Sequence, residues 1–316
     1  MKKFVLILAS LAVSAVVAVA QDMSAAVAMF NSGAESRSIG DNVTALEQFK
    51  QALTMGEACG EKGAELVENC RKAIPATILQ IGKDLYNKQH DFDGAIAKIQ
   101  EAVAVAKEYG VEGISDEADK LIPQITLTKT MGQANDAFKT QDFAAAIEGY
   151  KAVIAADSTN SAASLRLVQS YAAAGQLDQA KEALALATRN GQGDNAAKVL
   201  STAFLRDAQA KIKVAKYAEA VVSANESAAL NENANAYLMA ASASSKMGKD
   251  ADSIKYYEKY LQAAPDSKNA PAITFTIAAL YQKSGNKAKA LENYKKILSD
   301  PKFGAQAKQQ VDQLSR

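Results

Sequence analysis

Small and apolar residues recur along this chain at helical spacing, and the spacing itself repeats. Ala45, Phe49 and Ala52 stand four and then three apart, as do Ala95, Ile99 and Ala102, and Ala146, Tyr150 and Val153. The stagger returns at Ala180, Leu184 and Ala187, at Ala220, Ala224 and Ser227, at Ser253, Tyr257 and Tyr260, and at Ala290, Tyr294 and Ile297. Steps of three and four keep these residues on one face of a helix. A turn signal precedes most of them, as at Gly40-Asp41, Asp142, Gly175, Gly248 and Gly285-Asn286. A second set of marks lies upstream. Ala134, Ala208, Ala241 and Ala278 fall twelve residues before Ala146, Ala220, Ser253 and Ala290, and Tyr86, Tyr171 and Tyr281 fall nine before Ala95, Ala180 and Ala290. Each unit therefore predicts two helices joined by a tight turn. Small residues let the helices approach, and the large residue one turn on fills the space above that contact.

This pattern resembles the tetratricopeptide repeat, a helix–turn–helix unit of about 34 residues. Ala146 to Ala180 is 34 residues, Ala180 to Ala220 is 40, Ala220 to Ser253 is 33, and Ser253 to Ala290 is 37. The excess in the 40-residue step is assigned to a loop over Asn190–Asp194. The steps from Ala45 to Ala95 and on to Ala146 are 50 and 51, so two N-terminal units are lengthened. That excess is expected as longer helices plus connections around Gly63–Ala73 and Ser115–Ile122, with Pro75 and Pro123 marking irregularities. The family's first-helix Trp is absent throughout; Phe204 and Tyr237 take its place in two units. The expected fold is all-α: a right-handed superhelical solenoid with a C-terminal capping helix. Residues 21–126 form the lengthened N-terminal region, 127–301 the regular repeats, and 302–316 the cap.

The first twenty residues read differently. Lys2 and Lys3 open a positive stretch, Phe4 to Val17 is apolar, and Ala18-Val19-Ala20 is a small-x-small cleavage pattern. These features predict a signal peptide cleaved after Ala20. The mature protein is then expected to be exported, periplasmic in a Gram-negative source and otherwise secreted, with no membrane insertion after cleavage. In that compartment Cys59 and Cys70 are expected to form a disulfide, with free thiols and a redox pair as the alternatives.

Composition adds little chemistry. About a fifth of the chain is alanine, which favours helix. Loss of the leader leaves 34 basic against 35 acidic residues, which gives no support for a nucleic-acid partner. One His and two Cys argue against a zinc site, and no cofactor or metal is expected. His90 sits in a turn. Asp116, Glu117 and Asp119 beside Ser115 read as acids at a helix start, with a calcium loop as the weaker alternative. No nucleophile–base set or phosphate-binding loop is present, so an enzyme is not expected. Five tyrosines, Tyr256, Tyr257, Tyr260, Tyr281 and Tyr294, read as packing, with Tyr256 the most exposed.

The resemblance implies a concave face lined by first helices that holds a peptide or partner segment. Mapped by repeat position, that face is Met131, Asn135, Phe138 and Lys139; Leu165, Gln169 and Ala172; Leu205, Gln209, Ile212 and Lys213; Leu238, Ser242 and Lys246; and Phe275, Ala279, Gln282 and Lys283. Lys88, Lys139, Lys213, Lys246 and Lys283 share one repeat position. They read as cations at helix C-termini, with a basic stripe for an acidic ligand as the alternative. The paired Lys and Asn of the family's carboxylate clamp are not found together. The expected function is a non-enzymatic scaffold or adaptor of the cell envelope with a protein or peptide partner. The alternative is a periplasmic chaperone-like module for unfolded or apolar segments. Homo-oligomerisation is left open.

Overall fold

The computed structural model describes residues 22–316; the expected leader and its cleavage point lie outside the described residues. Among the described residues there are helices and turns and no strand, as an all-α repeat fold requires. The chain divides between Lys129 and Thr130 into two compact units.

The first unit holds α1 (22–38), α2 (Asn42–Ala58), α3 (Ala64–Asp84), α4 (Phe92–Tyr109) and the start of α5 (Ile114–Lys139). Its core gathers Leu46, Phe49, Ile74, Ile78, Ile99 and Ile125, all under 10% exposed. The Phe30 and Phe49 rings meet at 5.2 Å between centroids. The surplus residues lie in the helices, not in connections. Gly63–Ala73 falls almost wholly in α3, and Ser115–Ile122 falls in α5. The real connections are the short 3-10 turn Gly60–Gly63 and the turn at residues 110–113. Neither proline ends its helix. Pro75 lies inside α3 and Pro123 inside α5, and Pro75 is buried, so packing outweighs the lost hydrogen bond.

The second unit continues α5 and pairs it with α6 (Phe143–Ala156). The pairs α7 (Ser161–Ala173) with α8 (Leu177–Arg189), α9 (Gly193–Lys213) with α10 (Tyr217–Leu230), α11 (Ala234–Lys246) with α12 (Asp250–Ala263), and α13 (Ala270–Lys283) with α14 (Lys287–Lys296) follow. α15 (Gly304–Leu314) packs on α14 and brings Ala307, Phe303, Val311 and Leu314 onto Ala278, Ala290 and Tyr294. The residues expected to crown each contact are buried: Tyr150 is 0% exposed, Tyr257 9% and Tyr294 1%, while Leu184 is only half-buried. The close approach of small residues is direct. A methyl group added to Gly149 of α6 would sit 2.7 Å from the Ala134 Cβ of α5. The Ser253 hydroxyl of α12 donates to the Ala241 carbonyl of α11 at 2.9 Å. The expected loop over Asn190–Asp194 is shorter than its sequence suggested. α9 already begins at Gly193, and the surplus goes into its 21 residues. Asn190 and Gln192 fasten the turn by donating to the Ser158 carbonyl and the Ser161 hydroxyl at 3.0 and 2.9 Å.

Each turn inside a pair places one residue in the left-handed region, followed by the N-cap of the second helix. Gly40, Gly175, Gly248 and Gly285 take that conformation without strain, whereas His90, Gln141 and Ala215 take it with a side chain. Asp41, Asp91, Asp142 and Asn286 then cap by accepting from the N–H three residues on, and Gln176, Lys216 and Lys249 do not. The turn at Ala215-Lys216 therefore lacks both devices. Ala215→Gly should relieve about 1 kcal/mol of strain, and Lys216→Asp should add about 1 kcal/mol by accepting from the Glu219 N–H. Lys216 gives up only an exposed pair with Glu219 at 3.4 Å, a small loss. The double variant should unfold at a higher urea midpoint than the parent, and an unchanged or lower midpoint would contradict the turn assignment.

The two cysteines are free in this structure, contrary to the expected disulfide. Cys59 ends α2 and lies beside the 3-10 turn, while Cys70 faces the core of α3 on the same stripe as Leu66 and Ile74. Cys70 is 0% exposed, and burial pushes its thiol up to about 11. Each thiol serves as an apolar filler within its own helix packing.

Candidate binding face

The expected binding residues do not behave as one set. In the second unit the first helices pack on one another, α7 on α9 and α9 on α11, whereas no two successive second helices pack to that extent. The outward residues of α7, α9 and α11 thus share one continuous face. Leu165, Leu205, Ile212 and Leu238 are half-buried along it, and Gln209 is exposed.

Towards the start of this face, Phe138 lies edge-on to Phe143 at 5.7 Å, and the Arg166 guanidinium sits 5.4 Å from the Phe138 ring centre. Arg166 also donates to Gln169 Oε1 at 3.0 Å. Phe138, Phe143, Arg166 and Gln169 form one cluster. Asn135 is half-buried and accepts from the Tyr150 hydroxyl at 2.8 Å, so its amide oxygen already helps to join α5 to α6. Met131 is half-buried with no polar group to spend.

At the far end the expected residues belong to packing. Phe275 meets Tyr294 at 5.2 Å and Phe303 at 5.8 Å. Gln282 accepts from the Tyr294 hydroxyl at 2.9 Å and donates to Gln310 at 3.1 Å. Tyr256 is half-buried against the cluster of Ala208, Ala224 and Ala240 and accepts from Asn225 at 2.8 Å, so it is less exposed than its sequence position implied.

The lysine stripe splits into two classes. Lys88 pairs with Asp84 at 3.2 Å, Lys139 with Asp136 at 3.0 Å, and Lys283 with Asp250 at 2.7 Å. Lys213 and Lys246 are exposed with no ion pair among the described residues. Arg166 and Arg206, each fourteen residues before a repeat alanine, also stand on this face. Their shared position is legible in the sequence spacing alone.

Other chemistry-bearing groups are committed to structure. His90 lies exposed in a left-handed turn conformation. Ser223 donates to Asp207 at 2.5 Å and accepts from Lys211 at 3.1 Å, while Lys211 pairs with Asp207 at 2.8 Å. Burial would raise the Asp207 carboxyl, but hydrogen bonds from Lys211 and Ser223 and the Lys211 charge outweigh it and hold the group below its usual value. Ser223 is 2% exposed, so this trio ties α9 to α10 and offers no open nucleophile. In the first unit α3 and α4 frame a cleft of about 760 Å³ beside Val67, Arg71, Tyr109 and Val111. Its cations are matched: Arg71 pairs with Glu57 at 3.1 Å and lies over Tyr109, and Lys72 pairs with Glu68 at 2.6 Å. Among the described residues no group of three or more His, Cys, Asp and Glu is placed to hold a metal ion, and no helix is long and apolar enough to cross a membrane.

Residues 137–204 match the sequence model of the tetratricopeptide repeat. That segment runs from the end of α5 through α6, α7 and α8 into α9. No match was found among curated proteins. Solved structures with some likeness include the crystal structure of MamA protein, at 24% identity over 57% of this chain and 94% of that one, with a TM-score of 0.33. The crystal structure of YrrB, described as a tetratricopeptide protein with an unusual peptide-binding site, is 18% identical over 57% of this chain and 90% of that one, with a TM-score of 0.30. The P58(IPK) tetratricopeptide domain is 16% identical over 92% and 97%, with a TM-score of 0.28. Arrays of this repeat serve as protein–protein interaction scaffolds. Residues 137–204 therefore form a tetratricopeptide-repeat region, and the same helix–turn–helix unit recurs before and after it among the described residues.

Proposed function

We propose that the chain is an exported, non-enzymatic adaptor of the cell envelope that holds a partner segment on the first-helix face of its second unit. The observation that carries this reading is the row of half-buried aliphatic side chains on α7, α9 and α11. An aliphatic side chain recessed between helices offers a pocket for an anchor, and the exposed amide of Gln209 beside it can hydrogen-bond a bound backbone. Export rests on the leader pattern of the first twenty residues. A peptide-binding site is named for YrrB, which shares the helical-repeat type.

The test is photo-crosslinking in living cells, with the probe at Gln209 and, as a control, at Lys295 on the exposed side of α14. One dominant crosslinked protein from Gln209, absent from Lys295, is the expected result. A broad set of exported proteins from Gln209 alone would replace the adaptor with a chaperone-like module. Equal labelling from both positions would remove the binding face.

A further inference from the structure

We infer that the face of α7, α9 and α11 takes an extended acidic polypeptide segment bearing aliphatic side chains. This rests on the reading that a partner segment lies on that face, and adds its chemistry. Arg206, Lys213 and Lys246 are exposed there and have no ion pair among the described residues. Of the other nearby cations, Lys211 pairs with Asp207, Lys139 with Asp136 and Lys283 with Asp250, while Arg166 of α7 and Lys198 of α9 are also exposed with no ion pair among the described residues. Neither α7 nor α11 contains an acidic residue, and the two acids of α9 are Asp194 in its first turn and the engaged Asp207. The neighbouring second helix α10 has the opposite balance, with Glu219 and Glu226 and no basic residue.

A chain of near-neutral net charge has therefore placed unmatched positive charge on one side of its middle repeats. Like charges kept together without counter-charges raise the local potential and favour an anionic partner. Leu205, Ile212 and Leu238 lie among these cations and are half-buried. Recessed aliphatics accept side chains that reach down from an extended backbone. A flat bilayer would instead need apolar groups that project, so the geometry favours a polypeptide over a lipid surface.

The test uses the purified chain without its leader and a fluorescent synthetic peptide of mixed glutamate and leucine. Its glutamine–leucine counterpart, anionic phospholipid vesicles and single-stranded DNA are run in parallel. Two charge-reversed variants are compared, Arg206→Glu/Lys213→Glu/Lys246→Glu on the face and Lys255→Glu/Lys287→Glu/Lys295→Glu away from it. Circular dichroism melts establish that both are folded. The acidic peptide should bind the parent about tenfold or more tightly than the glutamine peptide at low salt, and the preference should shrink as salt rises. It should vanish in the face variant and persist in the control variant.

Equal binding of the two peptides overturns the proposal. So does an equal loss in both variants, which would report overall charge alone. Binding of vesicles or DNA that exceeds peptide binding and disappears in the face variant would transfer the site to that class of ligand. If Gln209 captures a partner in cells while the peptides bind alike, the interaction face stands and its acidic preference falls. If Gln209 captures nothing and no peptide binds, the face itself is lost.

Discussion

Tyr150→Ala should destabilise the second unit by about 3–5 kcal/mol, the range for emptying a buried aromatic site. Tyr150 is 0% exposed, on the same face of α6 as Ala146 and Val153, which are also 0% exposed. Its hydroxyl donates to Asn135 Oδ1 at 2.8 Å, so truncation also leaves a half-buried acceptor without its partner. Tyr150→Phe separates the two effects. It keeps the ring and removes the donor, and should cost about 1 kcal/mol. Tyr294 makes the equivalent bond to Gln282 at 2.9 Å, but only α15 follows its helix. In an array held by nearest-neighbour contacts, an internal loss weakens the contacts on both sides, while a terminal loss frays the end. Tyr294→Ala should therefore leave exchange protection in α7–α10 intact, whereas Tyr150→Ala should lower it. Urea unfolding followed by circular dichroism, with hydrogen exchange to locate the change, checks both. A parental midpoint for Tyr150→Ala would mean that Tyr150 does not hold the α5–α6 contact.

The register of the repeats was legible because it depends on short-range rules. Ala146, Ala180, Ala220 and Ala290 are each 0% exposed, as the small-residue pattern required. The turns were legible for the same reason wherever Gly or Asp occurs. At Ala215-Lys216 they were not, because ordinary residues are held there by the packing on either side. The surplus was legible as longer helices plus connections, but its division between the two was not, because burial of Pro75 inside α3 lets that helix run on past a residue that costs it a hydrogen bond. The candidate face was legible only in part. Repeat position says which residues lie outward on first helices, and Gln209, Lys213 and Lys246 are indeed exposed. It cannot say which outward residues their neighbours consume. Asn135, Phe275, Gln282 and Lys283 are taken by Tyr150, Tyr294 and Asp250 through contacts 12 to 33 residues away in sequence. The disulfide expectation failed on the same kind of ground. Spacing and compartment permit Cys59 to meet Cys70, but Cys70 points into the core of α3.

Gly63→Ala should cost the first unit about 3 kcal/mol or more, at the upper end of overpacking effects. Two terms oppose each other here. Gly63 has an ordinary backbone conformation, φ −86°, so alanine introduces no backbone strain. On that count alone the substitution would stabilise, by about 0.4–1 kcal/mol, through a less flexible unfolded chain. The new methyl carbon, however, would lie 1.9 Å from the Gly56 carbonyl oxygen and 2.8 Å from its carbon. Both are backbone atoms of the last turn of α2, so no side-chain rotation can relieve the clash. The end of α2 and the start of α3 must separate, and Leu53 and Leu66, 9% and 6% exposed, lose their cover. The clash therefore decides the sign. Gly132→Ala is the matched control. Gly132 lies inside α5, has no positive φ, and a methyl there meets nothing within 4 Å. It should be neutral or stabilising by about 1 kcal/mol, the helix preference for alanine over glycine. The urea midpoint should fall for Gly63→Ala and hold or rise for Gly132→Ala, with lost exchange protection at Gly63→Ala concentrated in α2 and α3. A Gly63→Ala protein as stable as the parent would show that the two helices do not meet backbone to backbone at this turn.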